Sequence, residues 1–289
     1  MDLPVADVLR PRSMDDALKA LSDFPDARPL AGGTDLVVQL RDGRKRANVL
    51  VDLSNLGLGA IRERDGGIEI GALAPMDEIT RHPAVHRISP ALAQAAGFVG
   101  AWPIQCRATL GGNLANASPA ADTAPPLLTA GAIVTAVSPE GRREISIEDF
   151  FTGPGTNALK RNELIVSVFV PAPDVPQGHR WLDRFFKVGP RKEQIISVLS
   201  LSGRIVLGPD GSIHTIRLAL GSIAPTPVRA LRAEKALIEK IPANAVRREA
   251  CEALQKDISP IDDVRAPARY RRIAAAVLLD RFLKEASGD

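Results

Sequence analysis

Cysteine and histidine are scarce in this sequence, and their placement excludes several kinds of site. The 289 residues include two cysteines, Cys106 and Cys251, and a pair so far apart in sequence does not suggest a disulfide framework. An iron–sulfur cluster needs about four cysteine ligands, so we expect none in this chain. Two of the histidines, His82 and His86, have i,i+4 spacing, but Pro83 spoils the helical face that they would share. The sequence therefore predicts no metal site.

Aromatic residues and long apolar runs are also rare. Aromatic side chains make up 4% of the chain, which argues against a nucleic-acid reader that stacks bases. No run approaches the roughly 20 apolar residues of a membrane span, and the first residues lack the apolar core of a signal peptide. These features predict a cytoplasmic protein without a nucleic-acid partner.

Positive charge is limited to a small excess. The net charge is +3, and basic residues form two short clusters, at 41–46 and 269–272. A short basic run is usually a solvated face of the protein. The alternative is a docking surface or a patch that steers phosphate groups, and the sequence leaves both open.

Capping residues, turn residues and hydrophobic periodicity divide the first 175 residues into short elements. Ser13 precedes two acidic residues and an apolar-periodic run, which predicts a capped helix. The other predicted elements are a strand at 28–30, a helix at 35–40, a strand at 49–53, a hairpin at 61–72, a helix at 90–99, a structured loop at 108–126, and strands at 133–137 and 164–170. Segment 171–176 is proline-rich, like a linker. We therefore predict one domain at 1–175 and a second at 176–289.

The second predicted domain has strands first and helices after them, which favours the α+β class. Its predicted antiparallel strands lie at 180–188, 195–207 and 212–221. Its predicted helices lie at 228–240, 244–256 and 266–285. The last helix shows an apolar face at Ile273, Val277, Leu278 and Phe282.

Two glycine pairs are candidate binding sites. One lies in AGGTDL at 31–36, and the other lies in ATLGGNLANASPAAD at 108–122. Glycine allows a left-handed backbone and close approach to a ligand, and successive backbone N–H groups in such turns bind anions. Each pair alone fits a simple tight turn equally well. The G-x-G-x-x-G, P-loop and G-x-S-x-G motifs are absent from the sequence, which argues against a Rossmann site, a P-loop site and an α/β-hydrolase.

Taken together, the two motifs resemble those of the flavoprotein subunit of molybdenum hydroxylases, the group that includes carbon monoxide dehydrogenases and xanthine dehydrogenases. ELIVS at 163–167, FKVGPR at 186–191, and Arg265 with ARYRR at 268–272 extend the resemblance over nearly the whole chain. The family implies non-covalent FAD in an α+β domain of the vanillyl-alcohol-oxidase (PCMH) type. Two subdomains, about 1–55 and 56–172, would grip the flavin. A smaller C-terminal α+β domain with a three-stranded antiparallel sheet and helices would follow.

The resemblance also implies roles for individual residues. Backbone donors of the first motif would wrap the FAD pyrophosphate, and these residues are Ala31, Gly32, Gly33, Thr34, Asp35 and Leu36. The second motif would form the opposite wall through Thr109, Gly111, Gly112 and Asn113. Polar parts of the cofactor would bond to Asn116, Ser118 and Asp122. Ile165 would pack on an apolar part of the cofactor, with plain strand core as the alternative, and Lys187 would place a cation near it, with an exposed lysine as the alternative.

The family further implies a relay divided among subunits. A large partner would hold the molybdenum cofactor, a small partner would hold [2Fe–2S] clusters, and the heterotrimers would pair. FAD in this chain would pass electrons to NAD, quinone or oxygen, and this sequence neither selects the acceptor nor names the substrate. This chain would contribute no catalytic acid or base and no metal ligand.

The sequence departs from the family at two places, and two alternatives stay open. Pro103-Ile104-Gln105-Cys106 stands where the family often has Gln-Ile-Arg-Asn, and Gln194-Ile195-Ile196 stands where some members carry Asp or Tyr at the flavin face. One alternative is a free-standing oxidase of the same fold, with Cys106 as a covalent anchor for the flavin. The other is a non-enzymatic binding module, against which the intact glycines and Asn113 argue.

Overall fold

A small parallel sheet forms the N-terminal part of the chain. The structure is a computed structural model that describes residues 3–191 and 194–288. This part contains β1 (Asp7–Leu9), α1 (Met14–Asp23), β2 (Arg28–Leu30), α2 (Leu36–Arg41) and β3 (Val49–Asp52), followed by a 3-10 turn at Ser54–Leu56. The strand order is β1-β3-β2, and both pairs are parallel. Ser13 caps α1 as predicted, because its hydroxyl accepts a hydrogen bond from the Asp16 amide at 3.1 Å.

The central strand β3 is apolar because helices cover both of its faces. Val51 packs with Ala17 and Leu18 of α1 on one side. Leu50 packs with Leu40 of α2 on the other side. A strand buried on both faces reads as a continuous apolar run, as the sequence of β3 does.

A five-stranded antiparallel sheet forms the middle part. Its elements are β4 (Ile61–Arg64), β5 (Gly67–Gly71), α3 (Met76–Arg81), α4 (Pro83–Ile88), α5 (Pro90–Gly97), α6 (Trp102–Gln105), α7 (Leu110–Asn116), α8 (Ala124–Ala130), β6 (Ile133–Ser138), β7 (Gly141–Ser146), α9 (Ile147–Phe150), β8 (Phe151–Gly153), β9 (Thr156–Asn157) and β10 (Leu164–Pro171). The strand order is β4-β5-β10-β6-β7, and β8 pairs with β9. The predicted hairpin at 61–72 and the predicted strands at 133–137 and 164–170 are confirmed.

The loop predicted at 108–126 is wrong, because this segment contains α7 and α8. Glycine has poor helix propensity, yet Gly111 and Gly112 lie in the first turn of α7. Leu110 and Leu114 anchor that helix in the core, each with 0% exposure. In α8 the prolines fall in the first turn, where a missing N–H costs nothing.

The C-terminal part is a second antiparallel sheet with three helices. Its elements are β11 (Arg180–Val188), β12 (Leu199–Leu207), β13 (Ile213–Gly221), β14 (Val228–Arg229), α10 (Leu231–Leu237), α11 (Asn244–Leu254) and α12 (Ala268–Ser287). The sheet has four strands in sequence order, one more than predicted. The extra strand arises because Val228 and Arg229 pair with the end of β13 instead of starting the predicted helix at 228–240.

The predicted apolar face of α12 is partly wrong. Leu278 and Phe282 are buried, but Ile273 and Val277 are 57% and 60% exposed. Arg271 takes the core-facing position at the start of the helix, because its guanidinium donates to the Ser222 carbonyl oxygen and to the Asp263 carboxylate. The face that packs on the sheet is therefore rotated from the one that apolar residues alone would indicate.

Helices cover both faces of the C-terminal sheet. α10, α11 and α12 pack on one face, and α5 and α8 of the middle part pack on the other. A buried ion pair within the C-terminal sheet contacts the middle part: Arg204 Nη2 on β12 lies 3.2 Å from Asp183 Oδ2 on β11. Asp183 also accepts hydrogen bonds from the Ser89 hydroxyl and the Ala91 amide, and Arg204 donates to the Ile88 and Pro171 carbonyl oxygens. The division at 175/176 stays a prediction, since these contacts hold the two parts together.

We expect Arg204→Met to lower the free energy of unfolding by about 3 kcal/mol, because it leaves a buried carboxylate without its charged partner. Asp183 is 1% exposed, so water cannot replace the guanidinium. Urea unfolding monitored by circular dichroism measures the change, and adding Asp183→Asn should restore part of it. The matched control is Arg184→Met, whose side chain is 40% exposed and 3.7 Å from Glu285; it should cost less than about 1 kcal/mol. Equal unfolding midpoints for the two single variants would contradict this account.

Candidate functional site

One cavity joins the two glycine motifs. Its volume is about 620 Å³, within the range of roughly 300–1,000 Å³ that small-molecule and cofactor sites have. The connection from β2 to α2 forms one wall, α7 forms the opposite wall, and the start of β10 contributes to the floor. Every predicted site residue except Lys187 lines it, namely Ala31, Gly32, Gly33, Thr34, Asp35, Leu36, Thr109, Gly111, Gly112, Asn113, Asn116, Ser118, Asp122 and Ile165.

The two motifs touch backbone to backbone at Gly32. A Cβ atom added to Gly32 would lie 1.8 Å from the carbonyl oxygen of Arg107, far inside any permitted contact. Gly33 has φ +72°, in the left-handed region that glycine adopts without strain. The first glycine therefore permits the close approach of the two loops, and the second permits the turn that leads into α2.

Backbone donors of the first motif are free to bind a ligand. In the part of the chain that the structure describes, the amides of Gly32, Gly33 and Thr34 donate no hydrogen bond. A backbone N–H left without a partner away from water is costly, so such groups normally have one. Three consecutive free amides at a cavity wall form an anion-binding concavity.

The second motif uses its backbone differently. The amides of Leu110 and Gly111 donate to the carbonyl oxygens of Ala74 and Ala72, at 3.1 and 2.8 Å. The Gly112 amide donates to the Thr109 hydroxyl at 3.2 Å. A Cβ on Gly111 would lie 2.8 Å from the Ala72 carbonyl oxygen. The glycines of this motif therefore bring α7 close to the segment after β5, and its amides are largely occupied by the protein.

Side-chain amides of α7 face the cavity instead. The Asn113 Oδ1 atom accepts from the Thr123 hydroxyl at 2.6 Å, and the Asn116 Oδ1 atom accepts from Gln39 at 3.2 Å. These bonds fix the orientation of both amides. Within residues 3–191 and 194–288 neither Nδ2 group has a protein partner, so both remain as donors toward a ligand.

Asp122 is a buried carboxylate on the cavity wall. Its Oδ2 accepts from Lys187 Nζ at 2.7 Å, and its Oδ1 accepts from the Ser197 hydroxyl at 2.7 Å. Burial raises the pKa of Asp122, and the Lys187 ammonium and the Ser197 hydroxyl oppose that shift by stabilising the charged form. The Lys187 ammonium donates hydrogen bonds to Asp122 and to the Phe98 carbonyl oxygen, and its side chain is 2% exposed. Lys187 is therefore not an exposed lysine, and it does not line the cavity.

Sequence reasoning missed two cations that line the opposite end of the cavity. Arg28 lies on β2, just before the first motif, and Lys45 lies after α2. Burial, reinforced by the charge of Arg28, lowers the pKa of Lys45, while Asp35 opposes this shift. Lys45 belongs to the basic cluster at 41–46, so the phosphate-steering interpretation of that cluster was the signal that pointed to it.

The end of the cavity near Asp122 is apolar. Val99, Ile104 and Ile196 line it. Ile196 is 66% exposed, and Trp102, two residues before the lining residue Ile104, is exposed to the same extent. Cys106 is exposed and lies outside the lining residues. Ile165 lines the cavity from β10 next to an irregularity in its pairing with β6, while only 7% of it is exposed.

Residues 3–191 and 194–288 contain no group of three or more His, Cys, Asp or Glu side chains arranged to hold a metal ion. No helix in these ranges combines the length and apolar character needed to cross a membrane.

Comparisons with known proteins cover the whole chain. Residues 4–173 match the family described as the FAD binding domain in molybdopterin dehydrogenase, and residues 184–286 match the CO dehydrogenase flavoprotein C-terminal domain. The xanthine dehydrogenase FAD-binding subunit of Escherichia coli O157:H7 is 32% identical over 281 residues, 96% of this chain and 94% of that protein. The nicotinate dehydrogenase FAD-subunit of Eubacterium barkeri is 33% identical over 235 residues, 79% of this chain and 78% of that one. The structure of reconstituted CO dehydrogenase from Oligotropha carboxidovorans aligns with a TM-score of 0.93 and 27% identity, covering 100% of this chain and 99% of that chain.

The fold and the cavity thus define an α+β flavoprotein. More narrowly, the chain belongs to the family of FAD-binding domains in molybdopterin dehydrogenases and carries that family's CO dehydrogenase-type C-terminal domain. The predicted fold class is confirmed, apart from the fourth strand of the C-terminal sheet.

Proposed function

We propose that this chain is the flavin-binding, electron-transferring subunit of a cytoplasmic molybdenum hydroxylase complex and that it holds FAD non-covalently. The observation that carries the proposal is the single cavity in which both glycine motifs meet across the Gly32–Arg107 contact. The family match supports it. FAD, when bound, supplies an exchange between one-electron and two-electron carriers.

The residues present fit FAD in one orientation. The free amides of Gly32, Gly33 and Thr34 suit the pyrophosphate, and the side-chain amides of Asn113 and Asn116 suit its other side. Arg28 and Lys45 add positive charge at one end, as phosphate groups require. The isoalloxazine ring would then lie at the apolar end, where Val99, Ile104, Ile196 and Asp122 line the cavity.

This chain's residues bind and orient the cofactor and set its electrostatic surroundings. The Asp122 carboxylate, paired with Lys187, would stand beside the ring, and the apolar lining residues would exclude water from it. We assign no side chain the role of a catalytic acid or base, and we assign none to metal binding.

Electrons reach this chain from partners in the proposed complex. The two cysteines cannot supply the four ligands of a cluster, so we place the [2Fe–2S] clusters in a small partner subunit and the molybdenum cofactor in a large one, in a dimer of heterotrimers. The exposed Trp102 and Ile196 beside the ring end form apolar surface of the kind that a partner covers. The acceptor is NAD, quinone or oxygen, and the substrate is set by the molybdenum subunit.

Acid precipitation tests non-covalent binding directly. We expect the purified chain to carry one FAD and to release it intact into the supernatant, because Cys106 lies outside the cavity lining. Released FAD is identified by its fluorescence after phosphodiesterase treatment. Cys106→Ser is the control and should bind and release the same amount. Yellow colour that stays in the pellet and disappears in Cys106→Ser would instead support the free-standing oxidase, and a chain without any flavin would support the binding module.

A further inference from the structure

Ser197 of the C-terminal part lies behind the cavity wall and contacts Asp122, which lines the cavity. This serine is 0% exposed and lies just before β12. Its hydroxyl donates to Asp122 Oδ1 at 2.7 Å, while Lys187 Nζ occupies Oδ2 at the same distance. Both oxygens of the carboxylate are therefore held from the C-terminal part, and the carboxylate cannot rotate without breaking one of these bonds.

The backbone of Ser197 is fixed by hydrogen bonds from other segments of the C-terminal part. Its carbonyl oxygen accepts hydrogen bonds from the Ser222 hydroxyl at 3.0 Å and from Arg265 Nη1 at 3.2 Å. Arg265 and Arg271 both bond to the Asp263 carboxylate, and Arg271 also donates to the Ser222 carbonyl oxygen at 2.8 Å. Arg265 and Arg271, which belong to the segments that carry the family resemblance, thus donate hydrogen bonds to the carbonyl oxygens of Ser197 and Ser222.

Ser222 has a strained backbone. Its φ is +62°, in the left-handed region that side chains rarely adopt, and such residues persist only where the surroundings fix them. Its amide donates to the Pro119 carbonyl oxygen of the second glycine motif at 2.8 Å. One strained residue therefore joins three segments: the loop that carries Asp122, the segment that carries Ser197, and α12.

We propose that Ser197 is a positioning residue for the flavin, which fixes the Asp122 carboxylate beside the isoalloxazine ring, and that Ser222, Arg265 and Arg271 hold Ser197 for this purpose. The inference rests on the proposed function, since it requires FAD in the cavity with its ring at the Asp122 end. It assigns the C-terminal domain a part in setting the relative affinity of the site for reduced and oxidised flavin.

The test measures dissociation constants of the full chain for oxidised FAD and, anaerobically, for reduced FAD. Asp122→Asn removes a negative charge beside the ring, so binding of the more negative reduced flavin should improve relative to oxidised flavin. Ser197→Ala removes a donor that stabilises the charged carboxylate, so the ratio of the two constants should move in the same direction by a smaller amount, about fivefold, as expected for one hydrogen bond. In the double variant, Ser197→Ala should add less than about twofold, since neighbours that act through one group are not additive.

Ser200→Ala is the matched control. Ser200 is a buried serine three residues away, 1% exposed, and its hydroxyl has no hydrogen-bond partner among the described residues. Ser200→Ala should leave the ratio of the two dissociation constants unchanged. If any loss of a buried serine hydroxyl changed the ratio by loosening the C-terminal sheet, Ser200→Ala would change it as well. If Ser197→Ala fails to fold, Arg265→Gln takes its place. This variant removes the hydrogen bond from Arg265 to the Ser197 carbonyl oxygen and should shift the ratio in the same direction.

Three results would overturn the proposal. An unchanged ratio in Ser197→Ala, or a change that persists fully in the Asp122→Asn background, would show that Ser197 does not act through Asp122. An equal change in Ser200→Ala would show a structural effect only. If the wild-type chain binds no FAD, the proposed function fails along with the inference, whereas FAD binding with an unchanged ratio removes the positioning role alone.

Discussion

Gly32→Ala should abolish FAD retention, with a rise in the dissociation constant of about 100-fold or more. The added methyl carbon would lie 1.8 Å from the Arg107 carbonyl oxygen and 2.6 Å from its carbon. Both are backbone atoms, so no side-chain rotation relieves the clash and the two loops must separate. Backbone strain of this kind costs about 1–3 kcal/mol. The displaced amides also lose charge-assisted hydrogen bonds to the phosphates, each worth about 1.5–3 kcal/mol, and every 1.4 kcal/mol is about tenfold in affinity.

Fluorescence titration of the apoprotein with FAD measures this effect. Gly59→Ala is the matched control, because a Cβ there meets nothing closer than 3.8 Å and its backbone is not left-handed. Circular dichroism shows whether each variant is folded. Wild-type affinity in a folded Gly32→Ala variant would show that the two motifs do not meet at the cofactor, and the site would have to be placed elsewhere.

Much of the fold could be predicted from local signals. Ser13 as a helix cap and the turn within 61–72 were correct because capping and turn chemistry act over a few residues. The helix α7 was missed because its stability comes from burial of Leu110 and Leu114, which outweighs the poor propensity of two glycines. The rotation of α12 was missed because Arg271 enters the core through partners that lie far away in sequence.

The candidate site could be predicted as a set of residues but not as a set of contacts. Motif resemblance named the residues that line the cavity, including Asp122 and Ile165, which no spacing rule brings together. The resemblance did not indicate that Lys187 forms an ion pair with Asp122, because an ion pair between residues far apart in sequence leaves no local pattern. Arg28, on β2, and Lys45, in the basic cluster after α2, were missed because basic residues are usually solvated, and only the fold brings both of them to the cavity.

The central claim is that this chain relays electrons and does not oxidise the carbon substrate itself. Its described residues contain no metal-binding group, and its two cysteines are too few for a cluster. The chain is similar over nearly its whole length to FAD-binding subunits of dehydrogenase complexes, so substrate should reduce the flavin only when the other subunits are present. The chain alone should show at most turnover of NADH with a dye or with oxygen.

Anaerobic stopped-flow absorbance at the flavin band tests this claim most directly. The complex purified from its native source is mixed with its substrate, and the isolated FAD-loaded chain is mixed with the same substrate. The account predicts flavin bleaching in the complex and none in the isolated chain over the same time, with bleaching restored when the iron–sulfur and molybdenum subunits are added back. Bleaching of the isolated chain at the rate of the complex would contradict the electron-relay function and establish a free-standing oxidase.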